Sequence, residues 1–432
     1  MHGPIEIPTT DQVTVTGLSK PAMIGLGVGI AGLAATAALG ASAGDEMRHF
    51  GHSMLVAIVF FLSISLGALF FTLLQHVTSA GWSVVVRRVA EAMTAAVPIL
   101  GLLVLLVLVG PVLAGKPWIY DWADHKFVEA HELIQHKAGY LNAKFFLIRV
   151  IAYFAVWIGV ARFFSGQSLA QDVDQDKSRT LKMQGRSGIC MIAFGLTLTF
   201  AMFDFMMSLN AEWFSTMYGV YMFAGAFWSS LATLALLTMW LEKRGQLKGV
   251  VTSEHYHDIG KLMFAFTVFW SYVAFSQFML YWYADIPEET YWFNYRVWGD
   301  WNGFALLLLV GHFAIPLLGL MSRHVKRNRS VLAAWAVYCL VFHFVDLYWN
   351  VMPEMVNGVP GGDPATTGPQ FSLMDLTAMI GVGGLFAFAV LKRIDGKPAL
   401  AIGDTGWSAS LSPRARTRRR PGRRPPGPVP GS

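Results

Sequence analysis

The chain has 432 residues, 54% of them hydrophobic and only 14% charged, about half the charged share usual for a soluble globular protein. Together with 14% aromatics and a mean hydropathy of +0.47, this excludes a string of soluble domains and points to a membrane protein. The formal charge of +6 invites a nucleic-acid partner, but seven arginines (Arg414, Arg416, Arg418, Arg419, Arg420, Arg423 and Arg424) lie in the last twenty residues. Without those seven the chain sums to −1, so its body is nearly neutral and no nucleic-acid partner is expected.

In chain order, residues 1–20 are polar and show no cleavable leader pattern. Ten segments of about 20 apolar residues follow, each long enough to cross a bilayer. They cover roughly 21–42, 53–76, 93–114, 143–165, 187–209, 217–241, 260–284, 301–322, 331–352 and 372–392. Backbone polar groups must be paired within the bilayer, and ten-residue strand alternation is absent, so these spans are helices. From residue 393 to 432 the chain turns to Ser, Pro, Gly and Arg and reads as a disordered cytoplasmic tail, of which 405–432 either holds anionic headgroups or is a dispensable extension. The fold class is therefore an all-α polytopic membrane protein with no soluble domain.

Thirteen Lys and Arg residues occupy the connections after helices 2, 4, 6 and 8, from Arg87 to Arg329, against six in the other loops. By the positive-inside rule both termini are cytoplasmic. The outer loops 115–142, 285–300 and 353–371 are rich in Trp, Tyr and acids and would form a modest cap.

Charges within spans are costly and mark function by default. Arg149 in helix 4 and Asp204 in helix 5 fall at comparable depths on neighbouring antiparallel helices and can pair, either as a structural lock or as part of a path. His343, Asp346 and Asn350 share one face of helix 9, and a histidine beside a carboxylate can relay a proton. His312 precedes Pro316 by four residues, which frees a carbonyl beside an imidazole in mid-membrane. Toward the cytoplasm, an amphipathic stretch from Trp82 opens helix 3. There Glu91 is spaced to pair with Arg87 and, with His76, forms a candidate proton uptake point.

Other signals fall away. His131 and His136 in a zinc-protease-like stretch are five residues apart and cannot converge on one metal. Gly25, Gly27, Gly29 and Gly32 resemble a dinucleotide loop but sit within a span, where close helix packing explains them. Cys190 and Cys339 lie in apolar runs outside any C-x-x-C pair, so this chain carries no metal site and no covalent haem or cysteine-held iron–sulfur cluster. A b-type haem between His312 and His343 lacks a supporting pattern.

Four longer runs carry a family resemblance. The run Asp204–Tyr221 (DFMMSLNAEWFSTMYGVY) resembles the helix 5–6 junction of the NrfD-like membrane subunits of alternative complex III. Residues 260–270 with 275–277 and 285–289, residues 75–88 (QHVTSAGWSVVVRR), and Tyr140–Asn142 with 145–149 (FFLIR) are similar to further parts of that family. The resemblance covers about 20–392, so the NrfD-like domain is set at 21–392, and it is closer to the smaller F-type than to the C-type subunit.

The resemblance implies two four-helix bundles, helices 2–5 and 6–9, with helices 1 and 10 at the flanks. It implies a bacterial inner-membrane subunit of a quinol:cytochrome c (acceptor) oxidoreductase, not catalytic alone. No group is expected to be bound covalently; the C-type subunit is the stronger candidate for the quinol site, and the resemblance leaves a quinone or quinol open as a ligand of this chain. Haem and iron–sulfur groups would belong to partners: a second NrfD-like subunit, an iron–sulfur, molybdopterin-like subunit on the periplasmic side, and c-type cytochromes. Arg149, Asp204, His76 and Glu91 fall in the matched runs. The expected mechanism has an inner half-path at His76 and Glu91 and an outer one through Arg149, Asp204, His312, His343 and Asp346. Asn at 204 or 346 is expected to slow turnover and spare assembly. A stand-alone secondary transporter and a purely structural anchor are the rival classes.

Overall fold

The computed structural model describes residues 13–45, 47–247, 249–356 and 363–407. Within these it holds ten helices long and apolar enough to cross a membrane. They are α1 Ser19–Ala43, α2 Arg48–Val77, α3 Gly81–Leu113, α4 Ala143–Asp174, α5 Ser178–Leu209, α6 Tyr218–Lys243, α7 Ser253–Ala284, α8 Asn302–Met321, α9 Arg329–Met355 and α10 Leu373–Ile394. The chain is thus an all-α, multi-pass membrane protein. Every predicted span coincides with one helix, and the main differences lie at the ends. α3 begins at Gly81, about a dozen residues before the apolar run, because the amphipathic stretch after Trp82 is continuous with it.

Helix ends are fixed by local chemistry. Asn142 caps α4 by accepting from the Phe145 N–H at 2.9 Å, and Ser372 with Asp375 forms a capping box on α10. Two spans carry internal π-helical turns, Leu105–Val109 in α3 and Leu308–Ala314 in α8. Each precedes a proline, Pro111 or Pro316, which lacks an N–H and crowds the preceding turn. The Gly311 carbonyl in the α8 turn accepts the Tyr338 hydroxyl at 2.8 Å.

α2–α5 pack into one four-helix group and α6–α9 into a second, joined chiefly where α2 meets α6. That contact is close: a Cβ on Gly67 would lie 2.2 Å from the Ala226 carbonyl oxygen. α1 and α10 run together on the flank, backbone to backbone, with a Cβ on Gly32 only 2.6 Å from Gly381 Cα. Gly25, Gly29 and Gly32 therefore serve helix packing, as expected, while a Cβ on Gly27 would meet open space.

The short pair β1 (Thr14–Val15) and β2 (Lys397–Pro398) marks one end of the bundle, here the terminal face. The opposite end, the loop face, bears the 115–142, 285–301 and 363–371 connections. At the terminal face the expectation of disorder from 393 onward needs correction. Asp395 accepts the Leu18 N–H at 3.1 Å and the Ser19 hydroxyl at 2.5 Å. Ala399, Leu400, Ala401 and Trp407 are buried, and the Trp407 indole donates to the Ala401 carbonyl at 2.7 Å. The physical reason is that small apolar residues and one tryptophan let 395–407 fold as a strap across the helix ends. The seven arginines lie outside the described residues.

Candidate functional site: two buried carboxylates in two bundles

Asp204 and Asp346 are each only 1% exposed, one near the loop-face end of α5 and one in α9. Their surroundings differ in kind. Asp204 is paired: Arg149 donates from Nε to Oδ2 at 2.8 Å and from Nη2 to Oδ1 at 2.9 Å. The Tyr153 hydroxyl adds a bond at 2.7 Å. Arg149 also donates to the Tyr140 carbonyl at 2.8 Å, and its guanidinium lies 3.8 Å from the Tyr140 ring centre. A bidentate, fully bonded pair of this kind is rigid and specific. It brings together two residues singled out in the sequence, and it holds α4 to α5.

Asp346 has no cation among its bonded partners. It accepts the Tyr221 hydroxyl, the Trp270 indole at 3.2 Å and the Asn350 amide at 3.2 Å. A buried carboxylate without a counter-charge is costly, and a proton removes that cost. His343 lies one turn earlier on α9, with Nε2 2.8 Å from Ser63 Oγ on α2 and Nδ1 without a partner. His312 on α8 is buried between the Trp228 and Trp270 rings, at 4.2 and 3.8 Å, and neither ring nitrogen has a partner. His343 and Asp346 do not bond each other. A Cβ built on Gly225 of α6 would lie 3.1 Å from His343 Cε1 and Nδ1 and 3.8 Å from Asp346 Oδ2, so the imidazole packs directly against the α6 backbone with Asp346 beside it. We expect Gly225→Val to push His343 out of this position and slow proton-coupled turnover at least tenfold, an order-of-magnitude figure for losing one relay step. Gly225→Ala should give a smaller loss. Turnover of the purified assembly is the measurement.

Above this cluster, Asn350 accepts the Tyr218 hydroxyl at 3.3 Å. Next comes a buried ion pair at the loop face: Arg296 Nη2 donates to Glu354 Oε1 at 2.8 Å, the Tyr295 hydroxyl reaches the same oxygen at 2.5 Å, and Asn210 reaches Oε2 at 3.4 Å. The sequence reading left both charges as loop residues. Their signal was position alone, since Glu354 lies a helical turn beyond Asn350 on the α9 face. Tyr221, Trp270 and Tyr153 were also missed, because Tyr and Trp in a span read as apolar. Arg149 and Asp204 sit in the α2–α5 bundle, and His312, His343 and Asp346 in the α6–α9 bundle. No direct hydrogen bond joins the two sets among the described residues.

At the terminal face, Glu91 and His76 are both buried. Arg87 bridges Glu91 at 3.4 Å and Asp404 of the strap at 2.6 Å. Arg88 binds Asp172 and the Ser168 carbonyl and hydroxyl, each of the latter at 2.8 Å. His76 Nε2 has no partner. The candidate uptake point is therefore covered by the strap. Burial pushes the Asp404 carboxyl up, but the Arg87 charge and hydrogen bond outweigh it and hold the group below its ordinary value of 3.8. A carboxyl depressed in the folded state stabilises above its unfolded value, and that contribution is lost as pH falls through the lower docked value. Strap attachment should then be constant from about pH 5 to 8 and weaken only in stronger acid. Asp404→Ala should release it at neutral pH, read as faster proteolysis between 395 and 407.

Among the described residues no group of His, Cys, Asp and Glu is arranged to hold a metal ion. In the His131–His136 stretch, His131 is stacked on Phe127 at 4.1 Å. No protein-family model matches the chain, and no curated protein matches it either.

Proposed function

We propose that the chain is an NrfD-like, F-type membrane subunit of a bacterial quinol-oxidising respiratory complex, alternative complex III, and that it contributes a quinone-associated surface and a buried proton path. One observation carries the reading: a buried carboxylate with no cation, Asp346, beside two buried histidines with unpartnered nitrogens, in the heart of the α6–α9 bundle. Such groups exchange protons without breaking a structural ion pair. The runs that carry the family resemblance also supply much of the site: Asp204, Tyr218 and Tyr221 from one, Trp270 from another, Arg149 from a third. In this reading the terminal face is cytoplasmic and the membrane is the bacterial inner membrane.

Protons would reach Asp346 and the histidines through the α6–α9 bundle and leave toward Glu354 at the loop face. His76 and Glu91 would serve uptake beneath the strap. Electrons would travel in partner chains carrying haem and iron–sulfur groups. The test is purification in mild detergent. The proposal expects a second NrfD-like chain, an iron–sulfur, molybdopterin-like subunit and c-type cytochromes to co-purify. A chain that purifies alone and moves a solute across liposomes would be a secondary transporter instead.

A further inference from the structure

A small cavity of about 30 Å³ lies at the terminal face between α3, α4, α10 and the strap. Val89, Ala92 and Ile394 give it a buried apolar floor, and Arg393, Lys397 and Pro398 are half-buried at its rim. Its polar lining is Arg88 and Glu91 of α3, Ser165 of α4, Arg393 of α10 and Lys397 of β2. Arg393 stands in the last turn of a membrane span, so the cavity lies at the depth where lipid headgroups meet water.

The charges around this cavity do not balance. Arg87 is taken up by Glu91 and Asp404, and Arg88 by Asp172. Arg393 donates to the Ser165 hydroxyl at 2.9 Å, but neither it nor Lys397 forms an ion pair among the described residues. These four cations thus face three carboxylates, and the cluster is one negative charge short. Burial and the Arg393 charge together hold the Lys397 ammonium below its ordinary value of 10.5, a repulsion that an anion would relieve.

The space restricts which anion fits. A cavity of this size has room for about two water-sized groups. It admits the two unesterified oxygens of a phosphodiester and excludes a sugar or a nucleobase. A choline or ethanolamine head would bring a second positive group against Arg393 and Lys397 and be repelled. We propose that this cavity binds the phosphate of an anionic membrane phospholipid, its unesterified oxygens accepting from Arg393 and Lys397 and its single charge completing the balance. One lipid then joins α10 and the strap at the edge of the bundle. The inference goes beyond the functional reading and does not depend on it.

The test uses the full-length protein with whatever chains accompany it, stripped of lipid in mild detergent. Short-chain phosphatidylglycerol should raise the unfolding temperature saturably, while short-chain phosphatidylcholine and inorganic phosphate should leave it nearly unchanged. Arg393→Gln and Lys397→Gln should each weaken the apparent affinity for phosphatidylglycerol about tenfold, as for one lost charge-assisted hydrogen bond. Arg393→Lys and Lys397→Arg keep the charge and should retain most of the affinity. Lys182→Gln, at an exposed lysine of α5 outside the cavity, should leave it unchanged. Lys397 lies outside the spans, so its variants decide the matter if Arg393→Gln fails to fold. Native affinity in Lys397→Gln, or a loss as large in Lys182→Gln, overturns the proposal. An equal response to inorganic phosphate would make the ligand a free anion and overturn the lipid assignment.

Discussion

Asp204→Asn should destabilise the protein severely and reduce its yield in the membrane, whatever it does to turnover. The substitution keeps the shape and removes the charge that Arg149 needs. Arg149 is buried, donates twice to that carboxylate and stacks on Tyr140, so its charge would be stranded. Removing one member of a buried pair costs about 3–5 kcal/mol, most of it the cost of the orphaned ion. Arg149→Ala should be equally damaging. Replacing both residues, Arg149→Met with Asp204→Leu, should recover much of the loss, since no unpaired charge is left. Thermal unfolding in detergent reads all three. This narrows the sequence-based expectation that Asn at 204 would spare assembly.

Asp346→Asn should behave in the opposite way. No cation is stranded, and Asn can accept from the Trp270 indole with its one oxygen while its NH2 donates to the Tyr221 hydroxyl oxygen, so unfolding should shift by less than about 1 kcal/mol. Loss of the one group that gains and releases a proton should slow proton-coupled turnover by 10²-fold or more. Asp346→Glu, which keeps the acid and moves it by one methylene, should recover part of the rate. The two carboxylates are thus separated by a simple criterion: one variant fails to assemble, and the other assembles and fails to turn over.

The ten spans were legible because the bilayer demands them: about 20 apolar residues and full internal hydrogen bonding leave few alternatives. The Arg149–Asp204 pair was legible for a related reason, as equal depth on antiparallel neighbours puts the two within reach. The Asp346 site was half legible. The spacing of His343, Asp346 and Asn350 marked one face of α9, but their partners Ser63, Tyr221 and Trp270 come from three other helices, and nothing local identifies them. The ends of the helices read worst where charges are neutralised at long range. Arg87 and Arg88 look like interfacial anchors until Asp404 and Asp172 are brought to them from 317 and 84 residues away. Arg296 and Glu354 look like solvated loop charges and are buried against each other. The strap escaped notice because its glycines, alanines and single proline resemble a linker in composition, while its fold depends on contacts with β1, α3 and α4.

Whether Asp346 and its histidine neighbours carry protons within a quinol-oxidising complex is decided by the proton-to-electron ratio of the purified assembly reconstituted in liposomes, native and Asp346→Asn, with quinol as donor. A clear fall in protons moved per electron is expected in the variant, with assembly and unfolding unchanged. An unchanged ratio and an unchanged rate in a properly assembled Asp346→Asn variant would rule out that role for Asp346.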